Sequence, residues 1–174
     1  EPTLSEVVVA AARDPELLQL AEENGARGIN LAGICCTANE ILMRHGIPVA
    51  GNFLQQELAL ATGAVELMLV DVQCVMPALA TMAKCFHTQL LTTSAKARIP
   101  EVEHLEFEEA HALETAKEIV RRGVENFKTR DGAKACIPQE TMDLVAGFTR
   151  ESLLGILGGA YRATYRPLND GIID

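Results

Sequence analysis

The chain has few aromatic and few basic residues for its length. Of its 174 residues 4% are aromatic, none is Trp, and 15 Lys and Arg stand against 24 Asp and Glu, which gives a formal net charge of −9. Nucleic acids and anionic membrane surfaces are bound through basic patches, often with aromatic residues among them. The composition therefore argues against both kinds of partner.

Long apolar runs and a targeting sequence are also missing. No apolar run approaches the roughly 18 residues that a membrane-spanning helix needs, and the first residues, EPTLSE, lack the basic and hydrophobic pattern of a targeting peptide. The chain does not begin with Met, which suggests processing or excision from a longer chain. With 48% hydrophobic residues it can bury one core. We expect a single domain over residues 1–174, in the cytoplasm or held at the membrane periphery through partners.

The cysteine content argues against a secreted disulfide scaffold. The number of cysteines is odd, and the chain is neither short nor loop-rich. The sequence has no C-x-x-C, P-loop or G-x-S-x-G motif. We therefore expect free thiols in a reducing compartment. The five cysteines are Cys35, Cys36, Cys74, Cys85 and Cys136.

Short apolar runs alternate with helical patterns along the sequence. The predicted strands are residues 28–34, 66–72, 88–93 and 102–107. The predicted helices are residues 3–24 with a break at 14, 37–45, 52–62, 77–84, 108–128, 139–148 and 150–157. This alternation is typical of the α/β class, and we predict a Rossmann-like, mostly parallel sheet with helices on both faces.

Two cysteines follow predicted strands at matching positions. Cys36 comes after the first strand and Cys74 after the second, each in a turn ahead of a helix. Ligands of parallel α/β sheets bind at the carboxyl ends of the strands, and a helix N-terminus lowers the pKa of a thiol. Cys36 and Cys74 are therefore candidate metal ligands. Cys35 is a candidate alternate ligand if a turn directs it inward, because in extended backbone it points away from Cys36.

Two thiolates do not complete a metal site. Structural zinc and iron–sulfur clusters take about four ligands, so further ligands would come from outside this chain, from Cys35 or from a histidine. Cys85 and Cys136 have no partner at metal-like spacing, and we interpret them as small buried residues. We expect His87 to be packed or hydrogen-bonded rather than a ligand, and His104 to be solvated.

Three stretches closely resemble the catalytic subunit of the anaerobic nickel-iron-sulfur carbon monoxide dehydrogenases. They are GINLAGICCTANEILMRHGIP, GNFLQQELALATGAVELMLVDVQCVMPALA and KCFHTQLLTTSAKARIP, within which ICCTANE and VDVQCVMP are the most specific. The likeness runs from EPTLSE to RPLNDGIID. The resemblance implies the middle, Rossmann-like domain of a longer subunit, with the architecture of the prismane and hybrid-cluster proteins.

The resemblance also implies a reaction and a cofactor. The family oxidises CO with water to CO2 at a nickel-iron-sulfur cluster of the Ni-4Fe-4S type. It passes electrons through additional 4Fe-4S clusters, outside this chain, to ferredoxin, and it is homodimeric. Cys36 then corresponds to the ligand of the iron outside the cubane and Cys74 to a ligand of a cubane iron, while Cys35 is a candidate for a transient metal contact.

The resemblance places other cluster ligands beyond these residues. The family's ligand histidine would directly precede EPTLSE, and its remaining cluster cysteines would follow RPLNDGIID. We therefore expect the isolated 174 residues to be inactive.

Three alternatives remain open from the sequence. A hybrid-cluster protein related to hydroxylamine reductase would share the architecture but lack nickel. A non-catalytic Rossmann-like scaffold would bury Cys36 and Cys74. A thiol redox module is disfavoured, because adjacent cysteines form a strained disulfide.

Overall fold

The structure, a computed structural model, describes residues 2–143 and 149–157. The helices α1 to α7 are Pro2–Ala12, Pro15–Glu23, Cys35–His45, Gln56–Ala61, Ala78–Ala83, Ala112–Asn126 and Arg150–Leu157. The strands β1 to β5 are Gly33–Ile34, Val49–Gly51, Leu67–Val70, Gln89–Thr92 and Glu103–His104. Short 3-10 turns lie at Phe53–Gln55, Ala95–Ala97, Glu109–His111, Phe127–Thr129 and Gly132–Lys134.

The chain divides into two compact units, residues 1–140 and 141–174. The first contains β1 to β5 and α1 to α6, and in the second the structure describes α7. A single domain over residues 1–174 stays a prediction. None of the described helices is long and apolar enough to cross a membrane.

The described strands pair in parallel, which confirms the α/β class. They divide between two sheets, β1-β2 and β3-β4-β5, where the sequence predicted one. Strand β2 was not predicted, and β1 is shorter than the predicted strand over residues 28–34. The predicted helix over 139–148 is wrong for residues 139–143, which are not helical, and its remainder lies outside the described residues.

Strand β3 is covered by helices on both faces because successive side chains of a strand point in opposite directions. One face packs against α4 and α5, in a cluster that contains Leu60, Met68, Val70, Leu79 and Leu90. The other face packs against α1 and α6, in a cluster that contains Leu4, Leu67, Leu69, Leu91 and Ile119. Helices therefore hold the β3-β4-β5 sheet in place on both faces. The loop after β3 begins at the end of a strand whose position is fixed.

Candidate metal centre

The three candidate cysteines lie on two segments that leave different sheets. Helix α3 begins directly after β1, so Cys35 and Cys36 occupy its first turn rather than a turn ahead of it. Cys74 lies between β3 and α5, in a loop over residues 71–77 that is neither helix nor strand. The fold brings this loop to the first turn of α3, although β1 and β3 do not share a sheet.

The contacts between these segments involve the cysteines directly. The Cys36 thiol donates to Gln73 Oε1 across 3.8 Å, and the Cys35 thiol lies within hydrogen-bonding reach of the Cys74 thiol. Cys36 is exposed, whereas Cys35 and Cys74 are half-buried. The structure thus gathers all three predicted residues, and it turns Cys35 toward Cys74 rather than away from the site.

Both half-buried cysteines adopt a left-handed backbone conformation. The φ angles are 58° at Cys35 and 53° at Cys74, and Glu101 is the third non-glycine residue with positive φ in the described part of the chain. Such a conformation costs a side-chain-bearing residue on the order of 1–3 kcal/mol, and cases of this kind concentrate at functional sites. The surrounding fold therefore imposes these two conformations, and it does so at two of the predicted metal ligands.

A glutamine that the sequence analysis missed supports Cys74. The side chain of Gln56, in the first turn of α4, is buried with 5% relative exposure, and its Nε2 donates to the Cys74 carbonyl oxygen at 2.8 Å. The two residues are 18 positions apart. The sequence offers no signal for this contact, because an isolated glutamine in an amphipathic helix is most simply a surface residue.

The environment of Cys35 favours the neutral thiol. Burial, and to a lesser extent the neighbouring Cys74 and Cys36 thiols, together raise the pKa of Cys35 from an ordinary value of 9.0 to about 11. Burial acts in this way because it penalises the charged thiolate. Without a bound metal, Cys35 is therefore protonated at neutral pH.

This pKa predicts a distinctive pattern of thiol alkylation in the metal-free chain. At pH 8 a shift from 9.0 to about 11 lowers the thiolate fraction about 100-fold, so Cys35 should react with iodoacetamide far more slowly than the exposed Cys36, Cys85 and Cys136. The Cys35 rate should keep rising with pH up to about 11, whereas an ordinary thiol levels off above 9. Peptide mass spectrometry over pH 7–11 measures each rate. A Cys35 rate that levels off near pH 9 would contradict the buried environment.

The three thiols fit part of a metal-ligand set. Soft thiolates suit iron–sulfur clusters and related metals, but a cubane cluster takes about four of them. In the portion of the chain that the structure describes, no group of three or more His, Cys, Asp or Glu side chains is arranged to hold a metal ion. Cys35, Cys36 and Cys74 therefore suit a cluster only together with further donors.

The other two cysteines do not match their prediction. Cys85 and Cys136 are exposed, so their interpretation as buried residues is wrong. The Cys85 thiol points back along α5, where it contacts the Thr81 carbonyl at 3.9 Å. The exposure of Cys36 likewise removes a premise of the scaffold alternative, which required this thiol to be buried.

Of the two histidine predictions, one is confirmed and the other is wrong. The side chain of His87 is 6% exposed and its Nε2 lies 3.1 Å from Glu66 Oε1, which confirms the packed, hydrogen-bonded role. His104 was expected to be solvated, but its side chain is 13% exposed and its Nε2 lies 2.7 Å from Glu106 Oε2. Its Nδ1 also lies 2.9 Å from the Thr92 hydroxyl, because β4 and β5 place these residues side by side.

The chain is thus an α/β unit in which Cys35, Cys36 and Cys74 approach one another where α3 meets the loop after β3. Residues 1–161 match the Prismane/CO dehydrogenase family, and the chain belongs to this family. It is 59% identical over 160 residues to carbon monoxide dehydrogenase 1 of Methanosarcina mazei, covering 92% of this chain and 26% of that protein. It is 45% identical over 175 residues to carbon monoxide dehydrogenase 1 of Carboxydothermus hydrogenoformans, covering 99% and 27% respectively.

Solved structures agree with this assignment. The chain matches carbon monoxide dehydrogenase IV from Carboxydothermus hydrogenoformans with a TM-score of 0.81 and 51% identity, over 90% of this chain and 24% of that one. It matches a Ni-free carbon monoxide dehydrogenase from Thermococcus sp. AM4 with a TM-score of 0.83 and 45% identity, over 99% and 27%. The chain thus spans about a quarter of the length of these relatives. These matches confirm the resemblance, and they give no support to the hybrid-cluster alternative.

Proposed function

We propose that this chain is part of a carbon monoxide dehydrogenase, which oxidises CO with water to CO2, two protons and two electrons. The observation that carries the proposal is the gathering of Cys35, Cys36 and Cys74 where α3 meets the loop after β3. It occurs in a chain whose similar proteins are named carbon monoxide dehydrogenases. A scaffold without catalytic function would not need two cysteines in left-handed conformations at the same place.

The cysteines are assigned distinct roles in this proposal. Cys36 is the ligand of an iron outside the cubane and Cys74 the ligand of a cubane iron, with Cys35 as a further candidate metal contact. The exposure of Cys36 supports its role, because it leaves the thiol accessible to donors from beyond this chain. A bound nickel-iron-sulfur cluster would supply Lewis-acid activation of water and of CO. Helix α3 would present Cys35 and Cys36 to such a group, and the loop after β3 would present Cys74.

The remaining parts of the proposal concern the longer subunit. We assign to it additional 4Fe-4S clusters that pass electrons to ferredoxin, a homodimeric assembly and a cytoplasmic location. The relatives support a longer subunit, since this chain spans 26% of the Methanosarcina mazei protein. The separate ligand donors that the described residues lack would come from that additional polypeptide.

The proposal is tested by metal analysis of the longer subunit purified without oxygen. We expect nickel, iron and acid-labile sulfide in one preparation, together with CO-dependent reduction of an electron-accepting dye. Iron and sulfide without nickel, and without CO oxidation, would favour the hybrid-cluster alternative. A preparation free of nickel, iron and sulfide after reconstitution would favour the scaffold.

A further inference from the structure

The hydrogen bond between Gln56 and Cys74 connects two segments that share no secondary structure. Residues 71–77 form neither helix nor strand, so the backbone of this loop is not fixed by a helical or sheet ladder. The Gln56 amide donates to the Cys74 carbonyl at 2.8 Å from a side chain that is 5% exposed. A carbonyl acceptor requires a donor, so the NH2 group of the amide must face Cys74. This bond therefore fixes the peptide plane that follows Cys74.

The start of α4 holds Gln56 in turn. Asn52 caps the preceding 3-10 turn, since its side-chain oxygen accepts a hydrogen bond from the Leu54 backbone N–H at 3.0 Å. The Gln55 side-chain oxygen in turn accepts from the Asn52 backbone N–H at 2.8 Å. This reciprocal capping box fixes the chain immediately before Gln56. On the following turn Leu60 is fully buried in the core beneath β3. Gln56 thus projects from a turn that is anchored on both sides.

We propose that Gln56 is a positioning residue that holds Cys74 in its left-handed conformation and so directs the Cys74 thiol toward α3. The φ of 53° at Cys74 is unfavourable for any residue with a side chain, so it persists only where the surroundings fix the adjoining peptide planes. The buried amide of Gln56 fixes one of these planes. The part of this inference in which the Cys74 thiol holds a cluster rests on the function proposed above.

The test compares two variants of Gln56 with a matched control in the longer subunit. Gln56→Met keeps the length of the side chain but removes the donor toward the carbonyl, and Gln56→Glu removes it at a pH at which the carboxyl group is ionised. Thr88→Val is the control. Thr88 is 7% exposed, and its hydroxyl donates to the Val65 carbonyl at 2.7 Å, at the end of the sheet where β3 and β4 begin. It removes the same kind of bond, a side-chain donor to a backbone carbonyl, without touching the cysteines.

Three readouts separate positioning from a general loss of stability. They are the nickel and iron content, the electron paramagnetic resonance spectrum of the reduced cluster, and the alkylation rate of Cys74 in metal-free protein, all read beside the unfolding midpoint. We expect both Gln56 variants to lower metal affinity by roughly 10- to 100-fold, as supporting residues of metal ligands do, to change the spectrum and to speed the alkylation of Cys74. Thr88→Val should lower the midpoint and leave all three readouts at the wild-type value.

Gln56 variants whose metal content, spectrum and alkylation rate match those of Thr88→Val would overturn the inference. If the wild-type subunit itself binds neither nickel nor iron, the proposed function fails. The alkylation rate then decides the role of Gln56 alone: faster alkylation of Cys74 in the Gln56 variants supports positioning, and equal rates exclude it.

Discussion

Replacing Cys36 and Cys74 together by Ala is expected to abolish CO oxidation in the proposed longer subunit and to remove nickel and iron from it. Both cysteines lie at the junction of α3 and the loop after β3, where the Cys36 thiol donates a hydrogen bond to Gln73. Loss of a residue that supports a metal ligand costs roughly 10- to 100-fold in affinity or activity, so loss of two ligands should cost more than about 100-fold. Anaerobic metal analysis and a CO oxidation assay measure the two effects.

The other thiols of the chain provide matched controls. Cys85 and Cys136 are exposed like Cys36, so Cys85→Ala and Cys136→Ala remove the same chemical group from a similarly accessible position. We expect both variants to retain the wild-type metal content and activity. If the Cys36→Ala, Cys74→Ala variant also keeps its nickel and iron, the two cysteines are not ligands, and the cluster is held elsewhere in the subunit.

Local patterns predicted those elements whose signals lie within a few residues. The predicted break at 14 is the start of α2, where the Asp14 side chain accepts a hydrogen bond from the Glu16 backbone N–H at 2.9 Å. An Asp-Pro pair specifies a helix start without help from the rest of the chain. The strands β3 and β4 were also predicted, since each is a short apolar run that is buried from both sides.

Non-local contacts account for the elements that the sequence did not predict. Strand β2 is three residues long and is formed by its parallel pairing with β1. No local sequence pattern predicts this pairing. The predicted helix over residues 37–45 starts two residues too late, since α3 begins at Cys35.

The sequence predicted some features of the candidate site and not others. Matching positions after two strands predicted Cys36 and Cys74 as candidate ligands at the edge of one sheet. The structure brings their segments together, but through a contact between α3 and the loop after β3, because the strands belong to different sheets. The orientation of Cys35 toward Cys74 depends on a φ of 58°, and no pattern identifies a cysteine that adopts such an angle. The support from Gln56 depends on a contact between loops and helices far apart in sequence.

The second large effect is expected from a substitution at Gly33, whose backbone lies close to that of α3. An added Cβ at Gly33 would lie 2.4 Å from Ala38 Cα and 2.8 Å from Ala38 N. Both are backbone atoms of α3, so no side-chain rotation can relieve the overlap. Gly33→Ala must therefore separate β1 from the first turn of α3, the turn that carries Cys35 and Cys36. We expect a loss of about 1–3 kcal/mol in the free energy of unfolding, as for other overpacked sites.

Because the displaced turn carries the thiols, Gly33→Ala should affect metal binding more than its loss of stability alone would. Urea unfolding measures the stability, and nickel and iron analysis of the longer subunit measures the second effect. Gly132→Ala is the matched control, since an added Cβ there has no atom within 4 Å and its φ is not positive. This control should behave as wild type in both measurements.

A second substitution tests the stated cause of the clash. Ala38→Gly in the Gly33→Ala background removes only the Ala38 Cβ, which would lie 3.0 Å from the added atom, and leaves the two shorter backbone contacts in place. It should therefore restore neither stability nor metal content. Full recovery in the double variant would show that the side chain of Ala38, and not the backbone of α3, limits the space at Gly33. The start of α3 would then not depend on a glycine at this position, and the placement of Cys35 and Cys36 would have to come from the contacts of α3 with the rest of the fold.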